Sequence, residues 1–414
     1  MSERIVHGLE DTDFYKETMG QDIFERHPDV RVRWRFTNRT GIPFAHYIKL
    51  EDLRAALDLV QQERYDPKVL AWLVASGKFS REYAAFRRSM RLPKLTKVEV
   101  TEDGRDFDIE SEGRWCVNTH WELPVMMVMI HLFTKEMEKN DPRSEEEIWA
   151  EGDERLQEKI RRLAVFPGLK FVDFGTRRRR SYSWQKHVLE TLVTEIPDQL
   201  LGTSNVRLAY ELGIRPIGTF AHERPMVYMG LHRKLDDAEG YFFSQERVFT
   251  EWEDRYGFPL SNMLTDTFGT SSVLQNPHLT EAIKRWRGTR QDSGDPNEYA
   301  AMWVKWYQAH SVDPREKTIV FSDGLDVHKM IDLYERWHDQ VQVLFGWGTN
   351  LMNDLGYGGL SIVMKVVAVL VDGEWIDVGK LTDNRAKAIG TPECIERMKR
   401  LADYTATFNE DCRY

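Results

Sequence analysis

His222 stands in the run Gly218-Thr219-Phe220-Ala221-His222-Glu223, and histidine is the side chain most easily poised near neutral pH for proton or phosphoryl transfer. A lone histidine is more often a satisfied structural residue, so its weight comes from the company it keeps further along the chain. Arg290-Gln291-Asp292-Ser293-Gly294-Asp295-Pro296 sets two carboxylates three residues apart around a Ser-Gly turn, with an arginine just ahead. Turns of this composition are common in surface loops. In a functional role, carboxylates so placed accept hydrogen bonds from a ribose or hold Mg2+ through water. Ser322-Asp323-Gly324 repeats the theme. Gly346-Trp347-Gly348-Thr349-Asn350 adds a glycine turn whose N–H groups could cradle a phosphate. It has neither the Gly-Lys-Ser/Thr ending of a Walker loop nor GxGxxG spacing. Asp173-Phe174-Gly175-Thr176 leads into Arg177-Arg178-Arg179-Arg180. A guanidinium grips a carboxylate or phosphate through two hydrogen bonds. The first two arginines are the functional candidates, and the rest read as surface or packing residues.

Elements must carry these motifs. Gly202-Thr203-Ser204-Asn205 reads as a turn opening a helix with Leu208 and Leu212, which Gly213 ends. Residues 214–218 read as a short strand that delivers His222 and Glu223 into a loop. Strand-like runs at 169–174, 318–321 and 341–345 each end at one of the motifs, with helix-like stretches between. Repetition of strand, turn and helix is the α/β signature, and closure into a barrel with chemistry at its C-terminal rim is the expected form. Near the start, Asp11-Thr12-Asp13 reads as an N-cap for a helix through Tyr15, Met19 and Ile23. Val30, Val32, Trp34 and Phe36 alternate with Arg31, Arg33 and Arg35, the pattern of a half-buried strand with its arginines in solvent. Residues 51–90 read as polar-faced helices, and Ser144 with Glu147 makes a capping box. Asp103-Gly104 and Asp372-Gly373 mark hairpins, one before the middle of the chain and one near its end. Both chain ends, 1–120 with 360–414, are therefore expected to build one sheet-containing domain around an inserted 121–359.

Composition narrows the classes. The 414 residues are 41% hydrophobic, with 13 Trp and 20 Phe, enough for two domains or a barrel with an added layer. A net charge of −10 offers nothing global to nucleic acid or an anionic membrane. Cys116, Cys394 and Cys412 form no CxxC pair, which argues for a reducing compartment. The N-terminal stretch has no apolar signal-peptide region, and the longest apolar run, 124–133, is too short to span a bilayer. A cytoplasmic protein without membrane or nucleic-acid partners is the expectation.

Seven motifs in order, DTDFYK (11–16), DFGTRRRR (173–180), GTSN (202–205), GTFAHE (218–223), RQDSGDP (290–296), FSDGLD (321–326) and FGWGTN (345–350), resemble nicotinate phosphoribosyltransferase, of the type II group. The resemblance spans essentially the whole chain. It implies an irregular, incomplete α/β barrel plus an α/β sandwich formed by both chain ends, and a homodimer with shared active sites. It implies transfer of phosphoribosyl from 5-phosphoribosyl 1-diphosphate to nicotinate, with ATP and Mg2+ as cofactors and His222 as a phosphohistidine. By the same resemblance Arg290, Asp292 and Asp295 handle the ribose and diphosphate, with Ser293, Gly294, Ser322 and Asp323 beside them. Gly324, Gly346, Gly348 and Thr349 take the 5′-phosphate. Tyr15, from the partner subunit, and Phe174 sandwich the pyridine ring, and Arg177 or Arg178, Thr203 and Ser204 surround its carboxylate. Two departures stand out: the extra basic residue in GTRRRR, and the Trp inside GWGTN, which could alter how the phosphate loop packs.

Nicotinamide is the rival substrate. Its NH2 group calls for an acidic partner, and GTSN shows hydroxyls and no carboxylate beside the turn, which favours nicotinate. A non-catalytic binding protein on the same scaffold would be signalled by loss of the histidine or of the RQDSGD carboxylates, and neither is lost. Nucleic-acid binding through the arginine run would demand a basic face with interleaved aromatics, which is missing.

Overall fold

Among the described residues, eleven strands fall into two sheets: β1 (Arg31–Asn38), β2 (Lys97–Val100), β3 (Phe107–Arg114), β4 (Phe171–Asp173), β5 (Leu200–Thr203), β6 (Asn262–Leu264), β7 (Gly288–Gln291), β8 (Thr318–Phe321), β9 (Gln342–Trp347), β10 (Ile362–Val371) and β11 (Glu374–Asp377). The computed structural model describes residues 4–234, 236–357 and 359–410, so Cys412 and the extreme ends of the two terminal segments lie outside the described residues.

The antiparallel sheet has the order β11-β10-β1-β3-β2 and so joins strands from the two ends of the chain. Alternation in β1 buries Val32, Trp34 and Phe36 while Arg31, Arg33 and Arg35 point to solvent. These arginines meet Glu112 and Glu110 across the β1–β3 ladder, Arg33 at 2.8 Å and Arg35 at 3.0 Å. Exposed pairs of this kind add little stability and leave the arginines as a solvated row. Both expected hairpins form, β2–β3 and β10–β11. Helices Glu122–Lys139 and Glu223–Leu231 pack against β10. Gly230 permits the second approach, because a Cβ there would stand 2.4 Å from Val369 Cγ1.

The second sheet is parallel throughout, in the order β5-β4-β9-β8-β7-β6. Every residue of β8 is buried, as expected for a parallel strand covered on both faces. β5 and β6 are the ends of the hydrogen-bonded ladder among the described residues. The capping box at Ser144 is present and opens the helix Glu145–Ala164.

One expected element does not form, and two strands went unread. Residues 214–218 form no strand; they make only a single bridge, Thr203 to Pro216. That bridge is carried by Thr203 N–H to Arg215 O and Ile217 N–H to Thr203 O, either side of Pro216. Strands β6 and β7 carried no readable signal, being three and four residues long with polar members. No described helix is long and apolar enough to cross a membrane.

Candidate active site

The ends of the parallel strands and the first helix meet at one cleft, with His222 on its wall. Asn205 caps the helix Val206–Leu212 by accepting from Leu208 N–H, and Gly213 ends it at φ 66°. The chain then returns to place His222 immediately before the helix Glu223–Leu231. The imidazole is held at both nitrogens, Nε2 lying 2.9 Å from Asp292 Oδ2 and Nδ1 3.0 Å from Thr267 Oγ1. A carboxylate can only accept, so the pairing with Asp292 assigns the proton to Nε2 and leaves the Nδ1 lone pair facing the Thr267 hydroxyl. Burial, reinforced by the Lys380 ammonium, lowers the His222 pKa to about 4, so the ring is neutral at pH 7.

Around it stand groups of opposite tendency. Burial alone would raise Asp292, but the Arg290 guanidinium and the His222 bond hold its carboxyl well below the ordinary range. Arg290 reaches Asp292 Oδ1 at 3.0 Å, and the Ser322 hydroxyl donates to the same oxygen at 3.1 Å. Asp266 is pushed up by burial; its Oδ1 has no hydrogen-bond partner among the described residues and lies 3.8 Å from His222 Nε2. Burial lowers Lys380 to about 7. Lys387 bonds Asp323 Oδ1 and donates to the Asp292 carbonyl at 3.2 Å, joining the two acidic loops.

At one end of the cleft Gly324, Gly346, Gly348 and Thr349 line the wall with Ser322 and Asp323. Gly346 also makes room for the Phe174 ring, since a Cβ would stand 2.3 Å from Phe174 Cε2. Trp347 turns the other way, fully buried against Phe171, so the Trp in GWGTN packs the core and does not enter the cleft. The cleft is lined further by Tyr15, Phe174, Arg177, Arg178 and Ser204, the candidates for the pyridine ring. Arg177 donates to Tyr15 Oη at 3.1 Å, and Arg178 bonds the Leu360 carbonyl. Arg179 and Arg180 are committed to packing, the first on Asp11 at 2.6 Å and the second on Glu138 at 2.7 Å.

The geometry bears on three expectations here. Phe14 N–H donates to Ser204 O and Asp13 bridges to Asn205, so the chain brings its own Tyr15 to its own cleft. Asp13 stands at the N-cap of the helix Phe14–Arg26, but its side chain makes no cap bond; its Oδ1 accepts from Ser204 Oγ at 2.6 Å. The turn at Ser204 therefore does have a carboxylate beside it, contributed from a segment 191 residues away. Burial raises that carboxyl and Arg177 opposes the rise.

Thr203 and Ser293 stand behind the cleft wall, and Gly294 and Asp295 line a neighbouring pocket that shares Asp323, Gly324 and Lys387 with the cleft. Thr203 Oγ1 donates to Asp173 Oδ2 at 2.6 Å, and Ser293 Oγ donates to Asp266 Oδ2 at 2.5 Å. Gly294, at φ 77°, packs on Asp383, and Asp295 caps the helix Pro296–Ala309 by accepting from Asn297 and Glu298 N–H. Sequence reasoning passed over Arg39, Glu122, Lys365, Lys380 and Lys387, all of which line the cleft. The lysines follow or sit within the second hairpin, read only as structure; buried lysine in a strand that should be apolar was the available signal.

His222, Asp266 and Asp292 present donor atoms within 4.8 Å of one another. Mg2+ prefers oxygen ligands and keeps waters. The two carboxylates meet that demand, Asp266 through its unpartnered Oδ1, whereas the imidazole does not.

An α/β fold with one polar cleft, in which cations and glycine turns face paired carboxylates and a neutral histidine, defines a group-transfer site for a phosphorylated substrate. The nicotinate phosphoribosyltransferase (NAPRTase) family matches residues 169–403, and the N-terminal domain of that family matches residues 11–130. The chain belongs to the nicotinate phosphoribosyltransferase family. The crystal structure of nicotinate phosphoribosyltransferase from Porphyromonas gingivalis is similar at TM-score 0.85 and 27% identity, covering 96% of this chain and 100% of that one. That of the Vibrio cholerae enzyme is similar at TM-score 0.85 and 27% identity, covering 98% of this chain and 96% of that one.

Proposed function

We propose that this chain transfers the phosphoribosyl group of 5-phosphoribosyl 1-diphosphate to the ring nitrogen of nicotinate, forming nicotinate mononucleotide and diphosphate for NAD biosynthesis. The pyridine nitrogen lone pair forms the bond to ribose C1 as the bond from C1 to the diphosphate oxygen breaks, the leaving group departing with the pair. Tyr15 and Phe174 flank the ring, Arg177 faces its carboxylate, Ser204 joins it when its hydroxyl turns from Asp13, and Arg290 with Lys380 and Lys387 balances the phosphates. Asp266 and Asp292 would hold Mg2+, which neutralises charge on the departing diphosphate.

The observation that carries the reading is the pairing of His222 with Asp292 at 2.9 Å inside a cleft lined by lysine and arginine. A neutral imidazole is a nucleophile through its Nδ1 lone pair once the Thr267 hydroxyl turns away from it. In this reading Nδ1 attacks the γ-phosphorus of ATP, ADP leaves, and hydrolysis of the phosphohistidine drives an otherwise reversible transfer. Thr203, Ser293, Gly294 and Asp295 act by supporting the residues on the wall. Residues 1–120 with 360–414 and residues 121–359 act as two domains, and the protein works in the cytoplasm as a homodimer. Product formation from nicotinate and nicotinamide, side by side and with or without ATP, tests the whole. Nicotinate is the preferred substrate and ATP raises its conversion; preference for nicotinamide refutes the substrate, and indifference to ATP refutes the coupling.

A further inference from the structure

Lys16 takes no part in the chemistry above, yet it is fully buried between the ring end of the cleft and His222. Its Nζ lies 2.6 Å from Glu122 Oε2, bonds Glu223 Oε2 and donates to Thr119 Oγ1 at 3.0 Å. Each carboxylate has a second tie. Glu122 Oε1 meets Lys365 Nζ at 2.6 Å, and its Oε2 accepts from Tyr15 Oη at 3.4 Å. Glu223 Oε1 accepts from Trp115 Nε1 at 2.8 Å. Tyr15, Glu122 and Lys365 line the cleft, while Glu223 follows His222 directly and opens its helix.

A buried ion pair is not needed for stability, because apolar residues of similar volume often do as well. What it does supply is a fixed geometry: Glu122 is held between Lys16 and Lys365, and Glu223, whose other tie is the neutral Trp115 indole, cannot leave Lys16 without stranding a charge in a dry interior. The path Tyr15–Glu122–Lys16–Glu223 is contiguous, every member is buried, and it ends one peptide bond from the imidazole. We infer that Lys16 is a positioning residue that ties the pyridine wall to His222, so that filling the ring end resets the imidazole. The inference rests on the proposed function in so far as nicotinate is the probe.

The test uses the full-length protein with ring-labelled histidine, the His222 signal being assigned by its loss in His222→Gln. Saturating nicotinate, with binding followed by calorimetry, should move the His222 resonances of the parent. Glu223→Gln keeps shape and most hydrogen bonds, and should cut that movement by about threefold or more while nicotinate still binds, as expected when one link of a coupling path is weakened. Lys16→Met should abolish the movement and lower kcat with the KM for nicotinate held. A folded Glu223→Gln protein that binds nicotinate and shows the full parental movement overturns the inference, even if Lys16→Met fails to fold. Nicotinate binding to the parent without any movement at His222 overturns it too and leaves the proposed function standing. Absence of nicotinate binding to the parent refutes the function and the inference together.

Discussion

At His222 the deciding quantity is the protonation state. With a pKa of about 4 in the fold against an ordinary 6.5, the ring stays neutral across the neutral range and takes up a proton only as pH falls through about 4. Labelling by γ-labelled ATP should therefore be flat down to about pH 5 and drop about tenfold per unit below 4, and His222→Ala should abolish both label and ATP stimulation. Label that persists in the variant would move the phosphate elsewhere. The same depression acts on stability with a definite sign. Between pH 6.5 and 4 the unfolded chain binds the proton that the folded ring refuses, so His222 contributes a loss of stability as pH falls through that window. Lys380 works in the opposite direction on binding. Poised at about 7, it loses its charge as pH rises. kcat/KM for 5-phosphoribosyl 1-diphosphate should fall above pH 7, and Lys380→Met should remove that limb and lower the plateau beneath it. An unchanged profile in the variant would show that another group titrates.

At the scale of the element, β9 divides its labour by alternation. Gly346 faces Phe174 and the cleft, whereas its neighbour Trp347 faces the core. Gly346→Ala places a methyl 2.3 Å from the Phe174 ring, and the ring rather than the strand backbone is free to give way. Overpacking of this kind costs about 1–3 kcal/mol. The variant should melt lower and show a larger rise in KM for the pyridine substrate than for the sugar phosphate, because Phe174 walls the ring end. Equal rises in the two constants would mean that Gly346 serves the phosphate directly.

At the scale of the whole molecule, the C-terminal segment is not an appendage. β10 pairs with β1 over seven positions, carries β11 on its other side and receives the His222 helix on its face. Lys365, Lys380 and Lys387 reach the cleft from that same segment. A chain ending at residue 359 should lose near-UV circular dichroism and cooperative unfolding along with activity, because β1 would be left with Trp34 and Phe36 uncovered. A cooperative melt in that truncation would show that the rest of the chain folds by itself.

Local chemistry was legible without coordinates wherever a short segment decides its own conformation. The hairpins at Asp103-Gly104 and Asp372-Gly373, the capping box at Ser144, the alternation of β1 and the helix stop at Gly213 all depend on neighbours within a few residues. The motifs holding His222, Arg290 and Asp292 were readable for the same reason: strand ends and turns place such residues at a rim, and these three share one cleft. The tertiary structure alone decided which partners meet from afar. Nothing near Ser204 in sequence announces Asp13, and nothing near His222 announces Lys380 or Asp266, because a carboxylate or ammonium acts through space. It also separated the arginines, sending Arg179 and Arg180 into buried pairs while Arg177 kept to the cleft. Four like residues in a row carry one local signal, and only the distinct surroundings that folding brings to each could give them different tasks.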